Sequence, residues 1–292
     1  MATLPASPEA YFAPTSLDAA LQLLRGGAAT LLAGGTDLMP QTHAGRVRFA
    51  PTLVNLRHVP ELAGIAVADG ELRIGALVTV TELMQSEAVR RHAPVLVDAG
   101  DHFASGQLRN AATIGGNVCN ASPAGDLLVP LLVLDARVEL ASMREGTRAV
   151  RTVPLREFFT GPGHTVRRPD EVLVAMSMPL PPDGFVARFC KFGTRPALDI
   201  SAVAIGLGAV RRERVLSNVR VAFGAVAPTP ARAPRTEAAL EGRTLDAATI
   251  AAAADTARDE IRPITDVRAS EWYRRELIHN LTKRVLDDVA TA

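Results

Sequence analysis

Apolar residues in the first third of the chain come in short bursts broken by glycine and polar positions. Leu17, Ala20, Leu21 and Leu24 recur at helical spacing behind Ser16, which predicts a capped helix over 17–25 ended by Gly26-Gly27. The burst at 28–33 predicts a strand, and 52–56 and 72–76 predict two more. Thr81 is expected to cap a helix running to about Val89, and Pro94 to open another reaching about Ser105. A helix over 126–134 should be buried, because it is apolar almost throughout. Strands are expected over 137–141, 148–153 and 172–178. Pro179, Pro181 and Pro182 then cluster with Asp183-Gly184 as the best linker candidate. Beyond it the pattern predicts strands over 186–192, 200–210 and 215–223, then helices over 234–241, 247–261 and 271–289. Runs of strands followed by runs of helices predict an α+β arrangement for this part. No internal repeat is visible.

Composition narrows the function classes. With 292 residues the chain has room for two or three subdomains around a substantial core. A net charge of +1 and an aromatic content of 4% point away from nucleic acid and from anionic membrane surfaces. Only two cysteines occur, Cys119 and Cys190, with no CxxC, so neither an iron–sulfur cluster nor a structural zinc site is expected within the chain. The six histidines show no metal-ligand spacing. The first 14 residues lack the basic and apolar regions of a signal peptide, and no apolar run approaches the roughly 20 residues that span a bilayer. A cytoplasmic protein is the expectation.

Two segments carry candidate chemistry. Ala33-Gly34-Gly35-Thr36-Asp37 follows a strand directly. Adjacent glycines there allow positive φ and close approach to a ligand, and successive N–H groups can form an anion-binding concavity. An ordinary strand-to-loop turn is the alternative. Thr113-Ile114-Gly115-Gly116-Asn117 again joins paired glycines to hydroxyl and amide side chains, and continues through Asn120 to Ser122-Pro123-Ala124-Gly125-Asp126. Asp126 is placed either to cap the following helix or to hydrogen-bond a polyol or ring nitrogen. Two such loops about 80 residues apart can grip one diphosphate from two sides. His102, Arg109 and Asn110 precede the second loop and are candidates to orient it, or form a solvated turn. Gly206-Leu207-Gly208 lacks the third glycine of a dinucleotide fingerprint and sits inside an apolar run, so it reads as core strand.

These motifs give the chain its resemblance to a known family. Ala33-Gly34-Gly35-Thr36-Asp37-Leu38-Met39-Pro40, the Thr113–Asn117 segment with its 122–126 tail, Asp170-Glu171-Val172-Leu173, Lys191-Phe192 with Arg195-Pro196-Ala197-Leu198-Asp199, and Arg268-Ala269-Ser270-Glu271-Trp272-Tyr273-Arg274 fall in order along the whole chain. The set resembles the FAD-binding medium subunit of molybdenum hydroxylases, the xanthine dehydrogenase and carbon monoxide dehydrogenase type. The resemblance implies that Ala33, Gly34, Gly35, Thr36, Asp37, Thr113, Ile114, Gly115, Gly116 and Asn117 cradle the FAD diphosphate. It implies that Asp126 contacts the flavin, that Leu173 lies near the ring, and that Lys191 lies close to it. No catalytic acid or base and no metal ligand is implied. One departure is Ile200, where carbon monoxide dehydrogenases of this type carry a tyrosine packed on the flavin. Another is the absence of the cysteine-rich insertion of the benzoyl-CoA reductase branch.

The implied fold is α+β, a two-part FAD-binding domain followed by a C-terminal three-stranded sheet with helices. Its expected parts are 1–57, 58–178 and 179–292, with one FAD between the first two and its ring toward the third. The implied role is relay: electrons come from the [2Fe–2S] clusters of a small partner subunit and leave through FAD to an external acceptor. Molybdopterin and substrate chemistry belong to a large partner subunit, in a heterotrimer. The alternatives are a stand-alone FAD-dependent oxidoreductase and an assembly subunit without flavin.

Overall fold

The computed structural model describes residues 7–195 and 198–291. Pro196 and Ala197 of the 195–199 motif lie outside the described residues.

The chain builds three main sheets in sequence. The first is parallel, with β3 (Thr52–Asn55) between β1 (Ala10–Phe12) and β2 (Ala29–Leu32). Helix α1 (Leu17–Leu24) connects β1 to β2, and α2 (Leu38–His43) follows the first glycine motif. Ser16 caps α1, its Oγ accepting from Ala19 N at 3.2 Å. The buried face of α1 is the predicted Leu17, Ala20, Leu21 and Leu24, and it packs on Val54 and Leu56 together with Ala141, Val172 and Val174 of the second sheet. The small first unit therefore shares its core with the second.

The second sheet is antiparallel. Its strands β4 (Ile65–Ala68), β5 (Glu71–Gly75), β6 (Arg137–Arg144), β7 (Thr147–Pro154) and β10 (Val172–Pro179) run in the order β4-β5-β10-β6-β7. Six short helices intervene: α3 (Val80–Gln85), α4 (Glu87–His92), α5 (Pro94–Asp101), α6 (Gly106–Arg109), α7 (Ile114–Asn120) and α8 (Leu128–Val133). A hairpin of β8 (Phe159–Gly161) and β9 (His164–Thr165) precedes β10. Residues 69 and 70 both take positive φ, which matches a type I′ turn joining β4 to β5 at Asp69-Gly70.

Several expected boundaries move. The cap is Thr79, not Thr81, because Thr79 and Glu82 complete a reciprocal capping box. The helix expected through Val89 breaks at Ser86, whose extended backbone (φ −66°, ψ 124°) starts α4. The helix from Pro94 stops at Asp101, and Ser105 caps α6 instead of ending α5.

The third sheet orders β11 (Phe185–Phe192), β12 (Val203–Arg212), β13 (Val215–Gly224) and β14 (Ala231–Arg232). The expected three strands thus gain a fourth, two residues long. Helices α9 (Pro234–Leu240), α10 (Ala247–Glu260) and α11 (Glu271–Thr291) cover one face through Leu240, Ala253, Ile278 and Val285. On the other face, α8 of the second unit lies directly on the strands. A Cβ at Gly206 would sit 2.9 Å from Val129 Cγ1, and one at Gly224 2.9 Å from Val129 Cγ2. Gly206-Leu207-Gly208 is a core strand, as read, and its glycines serve helix packing. No helix among the described residues is long and apolar enough to cross a membrane.

Candidate functional site

The first glycine motif leaves β2 at Leu32 and turns at Gly35, which sits at φ +71° in the left-handed region. The backbone N–H groups of Gly34, Gly35, Thr36 and Asp37 donate to no protein acceptor among the described residues. Four successive free donors around a left-handed residue form a concavity that suits an anion. Gly34 is required for a different reason: a Cβ there would lie 1.9 Å from the carbonyl oxygen of Ala111. The first motif is therefore pressed against the backbone that leads into the second.

The second motif differs from its sequence reading. It is not a loop but the first turns of α7, with Thr113 as the cap accepting from Gly116 N at 3.1 Å. All of its N–H groups but that of Thr113 are committed to acceptors among the described residues. Ile114 N donates to Val78 O, Gly115 N to Ala76 O, and Asn117 N to Thr113 O. Gly115 is dictated by packing, since a Cβ would fall 2.6 Å from Ala76 Cβ. Beyond the Thr113 N–H, the second half of the cradle thus offers side chains and not backbone donors. Asn117 supplies the clearest sign of an expected ligand, because its Oδ1 is buried without a partner among the described residues. That orphaned amide and the four free N–H groups fit a ligand with both anionic oxygens and hydroxyl donors, as FAD has.

Asp126 does not cap α8; Leu127 holds that position. Its carboxylate instead forms a buried pair with Lys191, Nζ to Oδ2 at 2.8 Å, and accepts from Ser201 Oγ at 3.0 Å. Burial pushes the Asp126 carboxyl above its ordinary value, against the opposing pull of Lys191, Ser201 and His102. Lys191 Nζ also donates to the His102 carbonyl at 3.1 Å. Lys191 is no surface lysine, its side chain being 6% exposed. The glycine seat of α8 on the third sheet is what brings Asp126 to the end of β11.

The remaining candidates divide. Leu173 is buried in the core shared by α7 and α8, opposite Leu140 in the sheet. Arg109 donates through Nη1 to the carbonyls of Gly100, Asp101 and Phe103, and Asn110 Oδ1 accepts from Thr81, so both tie helices together. Asp199 gathers the N–H groups of Thr194, Arg195 and Ile200 and the Thr194 hydroxyl, which hold its carboxyl down at about 2. Ile200 projects into solvent beside this clamp. Ser201 and Gln41 escaped the sequence reading. No motif marks either, and each joins the site through a residue far away in sequence, Asp126 for Ser201 and Asn120 for Gln41.

Comparison with known proteins shows the family. The family model for the FAD binding domain in molybdopterin dehydrogenase matches residues 6–181, and the CO dehydrogenase flavoprotein C-terminal domain matches residues 188–289. The xanthine dehydrogenase FAD-binding subunit of Escherichia coli O157:H7 is 37% identical over 283 residues, covering 96% of this chain and 95% of that protein. The carbon monoxide dehydrogenase medium chain of Hydrogenophaga pseudoflava is 31% identical, covering 95% of both chains. Among solved structures, quinoline 2-oxidoreductase from Pseudomonas putida 86 superposes with a TM-score of 0.90 at 30% identity, over 99% of this chain and 98% of that one. The chain belongs to the family of FAD-binding medium subunits of molybdenum hydroxylases, the xanthine dehydrogenase and carbon monoxide dehydrogenase type.

Proposed function

We propose that the chain binds one FAD in the crevice between the first and second sheets and serves as the electron-transfer subunit of a cytoplasmic molybdenum hydroxylase complex. The observation that carries this reading is that four backbone donors at Gly34–Asp37 and the buried Asn117 Oδ1 find no partner among the described residues, on two segments that touch where Gly34 rests on Ala111. Bound FAD supplies the exchange between single electrons and electron pairs. The chain's own residues bind and orient. Ala33 through Asp37 hold the anionic diphosphate by N–H groups and the Thr36 hydroxyl. Thr113 and Asn117 close the other side, while Ile114, Gly115 and Gly116 bring α7 close enough to do so. Asp126 and Lys191 fix the end of β11 near the ring, and Leu173 backs the site from the core.

The same reading divides the chain near 57 and 178; the succession of three sheets supports that division, although the first unit shares its core with the second. The partners are a small [2Fe–2S] subunit and a large molybdopterin subunit, with an external acceptor. Co-expression of a tagged chain with two such subunits tests the assembly. Stoichiometric co-elution is expected. A chain that elutes alone, carries FAD and oxidises an organic substrate by itself would favour the stand-alone oxidoreductase.

A further inference from the structure

We propose that Gln41 is a positioning residue of the cofactor cradle, an amide clasp between α2 and α7 that sets the spacing of its two halves. The inference rests on the reading that FAD lies between those halves. Gln41 Nε2 donates to Asp37 Oδ2 at 2.9 Å and to Asn120 Oδ1 at 3.1 Å. The first bond stays within α2, whereas the second spans 79 residues to the last residue of α7.

Gln41 is itself held in place. Its N–H donates to the Asp37 carbonyl at 3.1 Å, and its carbonyl accepts from Arg46 N at 2.9 Å and Val47 N at 3.3 Å. The neighbouring Thr42 is 2% exposed and donates to the Met39 carbonyl at 2.9 Å. A side chain on so fixed a backbone transmits the position of α2 to α7 with little play.

The two halves also meet at the opposite end, where Gly34 rests on the Ala111 carbonyl. Between these two contacts run the free N–H groups of Gly34–Asp37 on one side and α7, about 10 Å long at 1.5 Å per residue, on the other. Thr113, Asn117 and Asn120 share one face of α7 by their spacings of four and three. Since Asn120 meets Gln41, the same spacing puts Asn117 on the side of α7 that the clasp holds. Gln41 has a second effect. One of its amide protons also holds the Asp37 carboxylate and so fixes its orientation beside the adjoining donors.

The test uses the full chain freed of flavin, with Gln41→Leu, Asn120→Ala and the double variant. The probes are FAD, followed by quenching of its fluorescence, and adenosine diphosphate, which carries the diphosphate without the ring. Each single variant should weaken FAD about five- to tenfold, the equivalent of one hydrogen bond, and weaken adenosine diphosphate by a similar factor. The double variant should be no weaker than Gln41→Leu alone, and the melting temperature of the flavin-free chain should fall by no more than about 2–4 °C, the worth of one hydrogen bond. Wild-type affinity in both single variants, or losses that add in the double variant, would overturn the clasp while leaving the FAD reading intact. A wild-type chain that takes up no FAD would overturn that reading and the clasp with it.

Discussion

Lys191 Nζ stands 2.8 Å from Asp126 Oδ2, joining the end of the first strand of the third sheet to the segment that enters α8. Their side chains are only 6% and 12% exposed. Water screens such a pair poorly, and either partner left alone is an uncompensated buried charge. Lys191→Met should therefore destabilise the chain by about 3–5 kcal/mol, far above the ~0–1 kcal/mol of an exposed pair. Asp126→Asn added to Lys191→Met should recover most of the loss. Denaturant midpoints of the single and double variants decide the matter, and a small, additive effect would count against a coupled pair.

The two glycines of the second motif should respond unequally. A Cβ at Gly115 meets Ala76 Cβ at 2.6 Å and the Ala76 carbonyl oxygen at 2.7 Å, and neither can rotate away. Gly115→Ala should cost about 1–3 kcal/mol by forcing α7 away from Ala76, and FAD affinity should fall with it. At Gly116 the nearest atom is the rotatable Thr113 Oγ1 at 2.8 Å, and the residue is exposed. Gly116→Ala should be the milder change in thermal melting. Equal melting temperatures for the two variants would show that α7 is not wedged where the structure puts it.

Stability toward acid should depend on Glu171. Its side chain is 2% exposed, and burial by itself raises a carboxyl. The Arg151 bonds at 2.6 and 2.8 Å, the Arg168 N–H at 2.7 Å and the two guanidinium charges together outweigh burial and hold it below its ordinary 4.5. A carboxyl lowered in the fold stabilises it above the unfolded value and loses that contribution as pH falls through the folded one. Asp126 has the opposite sign. Its raised value makes its contribution complete below 3.8 and withdraws it as pH rises through the folded value. In urea midpoints followed downward from neutral pH, Glu171→Gln should start lower and fall less steeply below pH 4.5. An unchanged acid slope would remove Glu171 from the account.

Much of this was legible in the chain, and the misses have physical causes. Helix α1 was readable to its cap because Ser16 and the Leu17, Ala20, Leu21, Leu24 stripe are local signals. The Thr79–Glu82 box was equally local, and the wrong threonine was favoured. Gly115-Gly116 read as a loop because paired glycines disfavour helix. The approach of Ala76, a tertiary fact, overrides that preference. The Asp126–Lys191 pair and the Gln41–Asn120 bond span 65 and 79 residues, and no periodicity announces such partners. The first motif was recognised by its glycines, yet only the fold shows that they do different work. Gly35 provides positive φ, and Gly34 provides contact with Ala111.

The central claim is that the Gly34–Asp37 donors and the Asn117 amide hold one FAD. The most direct test is the absorption spectrum of the purified full chain, with any released cofactor identified and counted against protein. An oxidised-flavin spectrum and one FAD per chain, lost on Gly34→Val, is the predicted result. A colourless chain that takes up no added FAD, alone or with its partner subunits, would contradict it.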